Sequence, residues 1–512
     1  MKKNLLFLGL LGFANQVQAQ GPWTQVNNPS PNIFGPYTIE RIHTLSPTLM
    51  WGVASDRVPA GAPASIPGYF IVTNNPTGAG DQFDFGAVTV SNDGAAPTSH
   101  NATVANISGI SATTAVAAAY PGSTYVTGPA ATAYGGEIVK TTNAGNSWVK
   151  KTTATQFRGE GAFCNWVHMF TPLIGVALGD PTTAAPNQFE ILRTTDGGET
   201  WNRLTTGVPP AIANEYGNAE AFFALDSTPG TLWAGLASSD QTAQVRVIKT
   251  TDFGVTWTVS NLIPNMVGAV TRLAFKNANE GICYGYTITG GTPGTITGLN
   301  VARTTDGGIN WTPITPVNNA SGSFFRNDID AVNGVYYSVG PRYPVPTTGQ
   351  VPEDFGTSTS TDGVNWTNLT VSTTTAATPG YFFTLDLIPG ATANSTVGYG
   401  TLFTDINGVG GIFKYSRTLT ANRNAALQST LSVSPNPSSS GVFKVNLGSD
   451  LKAGAQLTVI DVVGRQVRSQ LLNAAAIGAK TFNLDLGGEK TGVYTLRIRT
   501  DAGIATQKVV ID

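Results

Sequence analysis

Seven side chains of this 512-residue chain could together hold an acidic ligand: Arg57, Asp180, Glu215, Tyr216, Arg326, Asp328 and Arg342. Arginine grips a carboxylate through paired hydrogen bonds, so a cluster of Arg, acid and Tyr on one face would suit a carboxylated sugar. Asp56, Arg158, Glu160 and Tyr343 fall in the same kind of place, where a predicted strand ends and a loop begins. The alternative is that these are solvated loop residues or ion pairs between neighbouring structural units, because spacing alone does not bring them together. Glycoside hydrolysis needs two positioned carboxylates. No pair stands out, so no catalytic residue is assigned. His43, His100 and His168 lack metal-ligand spacing, and neither a metal nor a cofactor is expected. Cys164 and Cys283 read as buried single thiols rather than a disulfide.

Such residues need a scaffold, and five tryptophans give its period. Trp148, Trp201, Trp257, Trp311 and Trp366 are separated by 53, 56, 54 and 55 residues. Each closes a near-copy of one turn: TTNAGNSW, TTDGGETW, TTDFGVTW, TTDGGINW and STDGVNW. A fixed period this long is the mark of a stacked repeat architecture. The residue types suit a β-hairpin. A carboxylate such as Asp196 can accept hydrogen bonds from backbone N–H groups of its own turn. Gly198 can take a positive φ without a steric penalty, and Trp201 starts the returning strand with a large ring to bury.

The turn resembles the Asp-box, or bacterial neuraminidase repeat, Ser/Thr-x-Asp-x-Gly-x-Thr-Trp. The matching residues are Thr141, Asn143 and Trp148; Thr194, Asp196, Gly198 and Trp201; Thr250, Asp252, Gly254 and Trp257; Thr304, Asp306, Gly308 and Trp311; and Asp362 and Trp366. The first copy carries Asn in place of Asp, and the last is one residue shorter. The resemblance implies a β-propeller in which the box joins the third and fourth strands of a blade, opposite the ligand-binding face. The boxes are therefore read as structural turn locks. Local side-chain-to-backbone bonding accounts for them, and one carboxylate per box is too few for calcium.

Short β-branched runs precede each box, such as Leu232–Ser238 and Val335–Pro341, and suit packed strands. Val88–Gly94 reads as a degenerate third strand and box. Thr396–Leu402 and Gly411–Arg417 have no box after them, so Trp23–Val26 is expected to supply the missing fourth strand and close the ring. The expected fold is all-β: a seven-bladed propeller, with six or eight blades also compatible, followed by a small Ig-like β-sandwich.

Residues 1–19 read as a signal peptide, with Lys2 and Lys3 before an apolar run and small residues at Val17 and Ala19. No other stretch is long and apolar enough to span a membrane as a helix. The propeller occupies 20–418, a polar linker 419–426, and a last domain 427–512. That last domain resembles the C-terminal sorting domain of the type IX secretion system of Bacteroidota. The resemblance rests on Pro435, Asn436 and Pro437; on Asp461, Gly464 and Arg465; on Gly492 and Tyr494; and on Lys508, Val509 and Val510. It implies the secretion machinery as a partner, and a secreted or outer-membrane-surface location after Sec export through the periplasm.

Only 12% of residues are charged and the net charge is −2, so no basic stripe invites nucleic acid. Sialidases would require a Phe/Tyr-Arg-Ile-Pro motif, and Glu40-Arg41-Ile42-His43 lacks both its aromatic and its proline. The leading reading is an exported, non-catalytic binding or structural module with a possible glycan or protein ligand on the propeller. The alternative is a sialidase-like or other glycan-active hydrolase using the propeller's top face. A close carboxylate pair at the mouth of the central channel would favour the enzyme, and a channel lined by Gly, Ala and Thr the binder.

Overall fold

The computed structural model describes residues 22–26, 37–56, 68–73, 82–91, 99–121, 136–157, 162–181, 187–289, 295–319, 322–342, 354–372, 382–392, 395–402, 411–418, 425–447, 455–462, 465–472, 474–500 and 503–512. The expected signal peptide, Arg57, Arg158, Glu160, Tyr343 and Gly464 lie outside them, as does most of the expected linker. The chain divides into two units, residues 1–417 and 418–512.

The larger unit is a succession of antiparallel sheets. Apart from one two-stranded hairpin, seven sheets are seen among the described residues. Their first strands are Tyr37–Ser46, Ser99–Gly109, Cys164–Met169, Glu215–Ala224, Arg272–Phe275, Asp328–Val332 and Phe382–Pro389. Each first strand packs against the first strand of the next sheet, and the last returns to Tyr37–Ser46. The second strands are small and apolar. Leu232–Ser238 is buried along its whole length because sheets cover both of its faces.

The seventh sheet orders Phe382–Pro389, Ser395–Leu402, Gly411–Thr418 and then Trp23–Gln25. Trp23 pairs with Tyr415 and Gln25 with Phe413, so the start of the chain supplies the outer strand beside Gly411–Thr418. Trp23 is buried, its ring 4.7 Å from Phe382 and 4.8 Å from Tyr415 between centroids. Its Nε1 donates to Thr357 Oγ1 of the sixth sheet at 3.2 Å.

One expectation is corrected. The third strand of the first sheet is Tyr69–Thr73, and Phe83–Ala87 is its fourth. Thr89–Ser91 joins the second sheet instead. It pairs antiparallel with Ser99–Gly109 and parallel with Trp148–Lys150, closing that sheet on itself. The run from Val88 resembled a third strand because any short β-branched segment does. What decides its place is pairing with Trp148, 57 residues on, where Ser91 Oγ donates to the Trp148 carbonyl.

The box turns join sheets as well as strands. In the third copy Thr256 N and Thr256 Oγ1 donate to the Asp252 carboxylate at 2.9 and 2.6 Å. Gly254 N donates to Thr250 Oγ1 at 3.0 Å. Gly254 has φ +77°. A Cβ there would sit 2.1 Å from Val176 Cγ1 of the preceding sheet, so this position needs glycine for both conformation and space. Asp196 and Asp306 accept from their own turns in the same way, as does Asn143 in the first copy. Asp362 accepts from Val364 N and Asn365 N in the last. All five box tryptophans are buried.

The smaller unit packs a three-stranded and a four-stranded sheet around one core that includes Phe443, Leu457, Leu484, Leu496 and Val509. Ala425 and Ala426, expected in the linker, open a short helix, Ala425–Thr430, whose Leu427 is buried in that core.

Trp23→Ala is expected to lower the stability of the larger unit by about 3–5 kcal/mol, as truncation of a buried tryptophan does. Chemical denaturation of the full chain measures it. A loss below about 1 kcal/mol would show that ring closure does not rest on this strand.

Candidate functional site

Apart from Ser99–Asn101, which Thr89–Ser91 flanks, the first strand of each sheet has one edge with no strand beside it among the described residues. Unpaired N–H and C=O groups there would be left facing the ring axis. Side chains from the preceding sheet meet many of them. Gly109 N donates to His43 Nδ1 at 2.8 Å. Val167 N donates to Asn106 Oδ1 at 2.9 Å, and Asn106 Nδ2 returns a bond to Val167 O at 2.8 Å. Met169 N donates to Ser108 Oγ at 3.0 Å. Leu387 N donates to Asp330 Oδ2 at 2.6 Å, and Leu385 N to Asp328 Oδ2 at 3.2 Å. Across the closure, Thr44 N donates to Asp386 Oδ2.

These inner strands enclose an axial cavity of about 170 Å³. Glu40, Arg41, His43, His168, Glu220, Asp226, Arg272, Asp328, Asp330 and Asp386 all reach its wall. At one level Glu220 takes Arg41 on one carboxylate oxygen and Arg272 on the other. Arg272 Nε also contacts Asp328 Oδ1 at 3.1 Å. The Arg272 charge beside it holds the Glu220 carboxyl well below its usual range, against burial. Burial opposes the Arg272 charge, yet Glu220 and Asp328 hold it firmly protonated.

At another level carboxylates face one another. Burial pushes Asp386 up to about 7, with Asp226 and Asp328 adding to the rise. Burial and the Asp386 charge push Asp330 well above the carboxylate range. Burial pushes Asp226 up to about 6. That side chain opens into the cavity, where water screens part of the effect. Burial also holds His43 at about 4 and His168 at about 3, so both imidazoles are neutral near pH 7. With Nδ1 accepting from Gly109, neutral His43 carries its proton on Nε2.

The residues singled out from the sequence divide. Asp328 lies on the cavity wall. Asp180 is buried in a strand rather than a loop, and accepts from Asn165 Nδ2 at 2.6 Å and Gly217 N at 2.8 Å. Burial raises its carboxyl to about 6. Glu215 is buried at the start of its strand and takes Arg246 through both oxygens, at 2.9 and 2.6 Å. Arg326 is buried over the Tyr286 ring, 5.6 Å from its centroid. Arg342 is half-buried at the end of Val335–Arg342. Only Tyr216 is exposed, with its phenol raised by burial and by Asp180. Apart from Arg57, which lies outside the described residues, these side chains mostly turn inward because each strand end meets the next sheet.

Sequence reasoning missed Glu220, Asp226, Arg272, Asp330 and Asp386. Arg41 came up only in a motif comparison that failed, and His43 there and as a histidine without metal-ligand spacing. The usable signal for Glu220, Asp226, Arg272, Asp330 and Asp386 was position: each lies on or beside the first strand after a box.

A family model for the secretion system C-terminal sorting domain matches residues 432–512. This bears out the resemblance of the tail to the type IX sorting domain, and marks an exported protein, at the cell surface or secreted, whose tail engages the secretion machinery. No helix among the described residues is long and apolar enough to cross a membrane. No curated protein matches the chain. Similar solved structures include YCF48 bound to D1 peptide, at 13% identity and TM-score 0.42, covering 78% of this chain and 96% of that one. PorZ, a bacterial surface component of the type IX secretion system of Porphyromonas gingivalis, is 12% identical with TM-score 0.31, covering 92% and 70%. A Trypanosoma rangeli sialidase mutant is 8% identical with TM-score 0.36, covering 92% and 83%.

A carboxyl whose native pKa is raised binds more protons folded than unfolded, so its contribution to stability falls as pH rises from about 4 to about 7. The two histidines oppose this, since lowered native pKa values cost stability as pH falls below 6.5. Comparing wild type with Asp386→Asn isolates the carboxyl. The variant is expected to match wild type near pH 4.5 and to exceed it in stability at pH 7.5. Equal stability at both pH values in thermal unfolding would contradict a buried, proton-holding Asp386.

Proposed function

We propose that this chain is an exported seven-bladed Asp-box propeller that binds or builds at the cell surface without catalysing a reaction, and that its tail is an Ig-like type IX sorting sandwich. On this reading residues 1–19 are a signal peptide removed on Sec export in a Bacteroidota cell. Asp196, Asp252, Asp306 and Asp362 lock turns, and the propeller offers its top face to a glycan or protein ligand. The observation that carries the non-catalytic reading is the use made of the cavity carboxylates. Asp328, Asp330 and Asp386 each accept backbone N–H groups of the neighbouring inner strand. A carboxylate held this way is spent on the scaffold and cannot swing toward a substrate. Glu220 is likewise taken up by two arginines.

A second reading, a sialidase-like or other glycan-active hydrolase, draws on Asp330 and Asp386. They are close enough for the charge of one to raise the other's hold on its proton, and acid–base pairs are tuned in this manner. The axial cavity, at about 170 Å³, is small for an oligosaccharide.

Purified full chain is expected to leave a fluorogenic sialoside and a panel of polysaccharides at background hydrolysis. Asp330→Asn and Asp386→Asn are expected to change nothing. Turnover above background that both variants abolish would establish the hydrolase. Deleting residues 503–512 is expected to leave the protein in the periplasm of a Bacteroidota host. Arrival of the truncated chain at the surface or in the medium would overturn the sorting role.

A further inference from the structure

The terminal strand, Gly503–Ile511, forms one side of the four-stranded sheet of the tail. It pairs with Gly492–Thr500 along its inner edge. No strand of that sheet lies along its outer edge, yet the outward backbone groups are met. Gln428 Nε2 donates to Thr506 O and Thr506 N donates to Gln428 Oε1, both at 2.9 Å. Asn436 Nδ2 donates to Lys508 O at 2.7 Å, and Val510 N donates to Asn436 Oδ1 at 2.9 Å. The Ser438 backbone completes the row, with Ser438 N donating to Val510 O and Asp512 N donating to Ser438 O.

Each side-chain amide presents one carbonyl and one NH₂. That is the acceptor and donor set with which a strand residue meets a neighbour's N–H and C=O. Gln428 and Asn436 thus stand in for two residues of an absent strand. Their four bonds are solvent-exposed, so each is weak net of water and can be exchanged. The alternation along the strand leaves Ala505, Val509 and Ile511 in the core, with Thr506, Lys508 and Asp512 exposed. An arriving strand would therefore find the backbone pattern and a ready outward face without disturbing the core. Pro435-Asn436-Pro437 and Lys508-Val509-Val510, two separate stretches of the sorting resemblance, meet here as one element.

We propose that this edge, from Thr506 to the Val510 N–H, is where the secretion machinery binds the tail. An extended segment of that machinery adds as a strand and displaces the Gln428 and Asn436 amides. The proposal rests on the tail's sorting role. Strand addition takes its affinity from main-chain bonds and its specificity from alternate side chains, which suits a machine that accepts many cargoes. The amides keep the edge closed until then, as an open edge would pair with other chains.

The test uses full-length protein in a Bacteroidota host, with the 503–512 deletion as the control for the sorting role itself. Thr506→Pro and Val510→Pro remove outward N–H groups, and an edge strand tolerates proline there. Their melting temperatures are expected to stay near wild type while the exported fraction falls at least tenfold. Export at the wild-type level would overturn the proposal. Should the prolines unfold the tail, the double variant Gln428→Ala/Asn436→Ala decides. With its edge open it is expected to self-associate more than wild type when purified, and to reach the surface at least as quickly as wild type. A folded double variant that self-associates no more than wild type or exports more slowly would overturn the proposal. If the deletion itself is exported normally, the sorting role fails instead.

Discussion

An unpaired strand edge is the constraint on which this structure turns. A ring of separate sheets leaves the first strand of each with backbone groups aimed at the axis. Leaving a buried N–H or C=O unmet costs about 1–3 kcal/mol apiece. The chain meets those groups with side chains from the preceding sheet: an imidazole at His43, an amide at Asn106, a hydroxyl at Ser108, and carboxylates at Asp328, Asp330 and Asp386. The outer edge of the seventh sheet is met by Trp23–Gln25.

The same constraint explains the electrostatics of the cavity. Carboxylates serve as acceptors for inner-strand amides, so they collect where solvent is scarce, and burial raises their pKa values. Arg41 and Arg272 then balance Glu220 and Asp328. A cluster of perturbed carboxyls is often the mark of an active site. Here most of it follows from finishing the sheets, which is why the cluster weighs little toward a reaction. Glu220 holds arginines instead, and no backbone role is evident for Asp226.

What the sequence disclosed was local, and what it hid was long-range. The box turns were legible because Thr, Asp, Gly and Trp act within eight residues, with Asp196 and Thr200 bonding across four. Ring closure was legible because one strand was missing at one end and spare at the other. The cavity was not legible. Asp330 bonds Leu387 and Asn106 bonds Val167, 57 and 61 residues away, with no motif to tie them. The strand at Val88 was misplaced for the same reason. Asp180 and Glu215 looked like loop residues because strand ends and loop starts read alike, whereas Arg326 does lie between strands but is buried. Their partners, Asn165, Arg246 and Tyr286, are fixed only by the sheets.

Amide hydrogen exchange on the inner strands tests this account most directly. If side chains from the preceding sheet complete these edges, the amides of Gly109, Val167, Met169, Leu385 and Leu387 should exchange only with global unfolding of the larger unit. Exchange of those amides in the folded protein at the rate of an open edge would contradict it. The cavity carboxylates would then be free for chemistry.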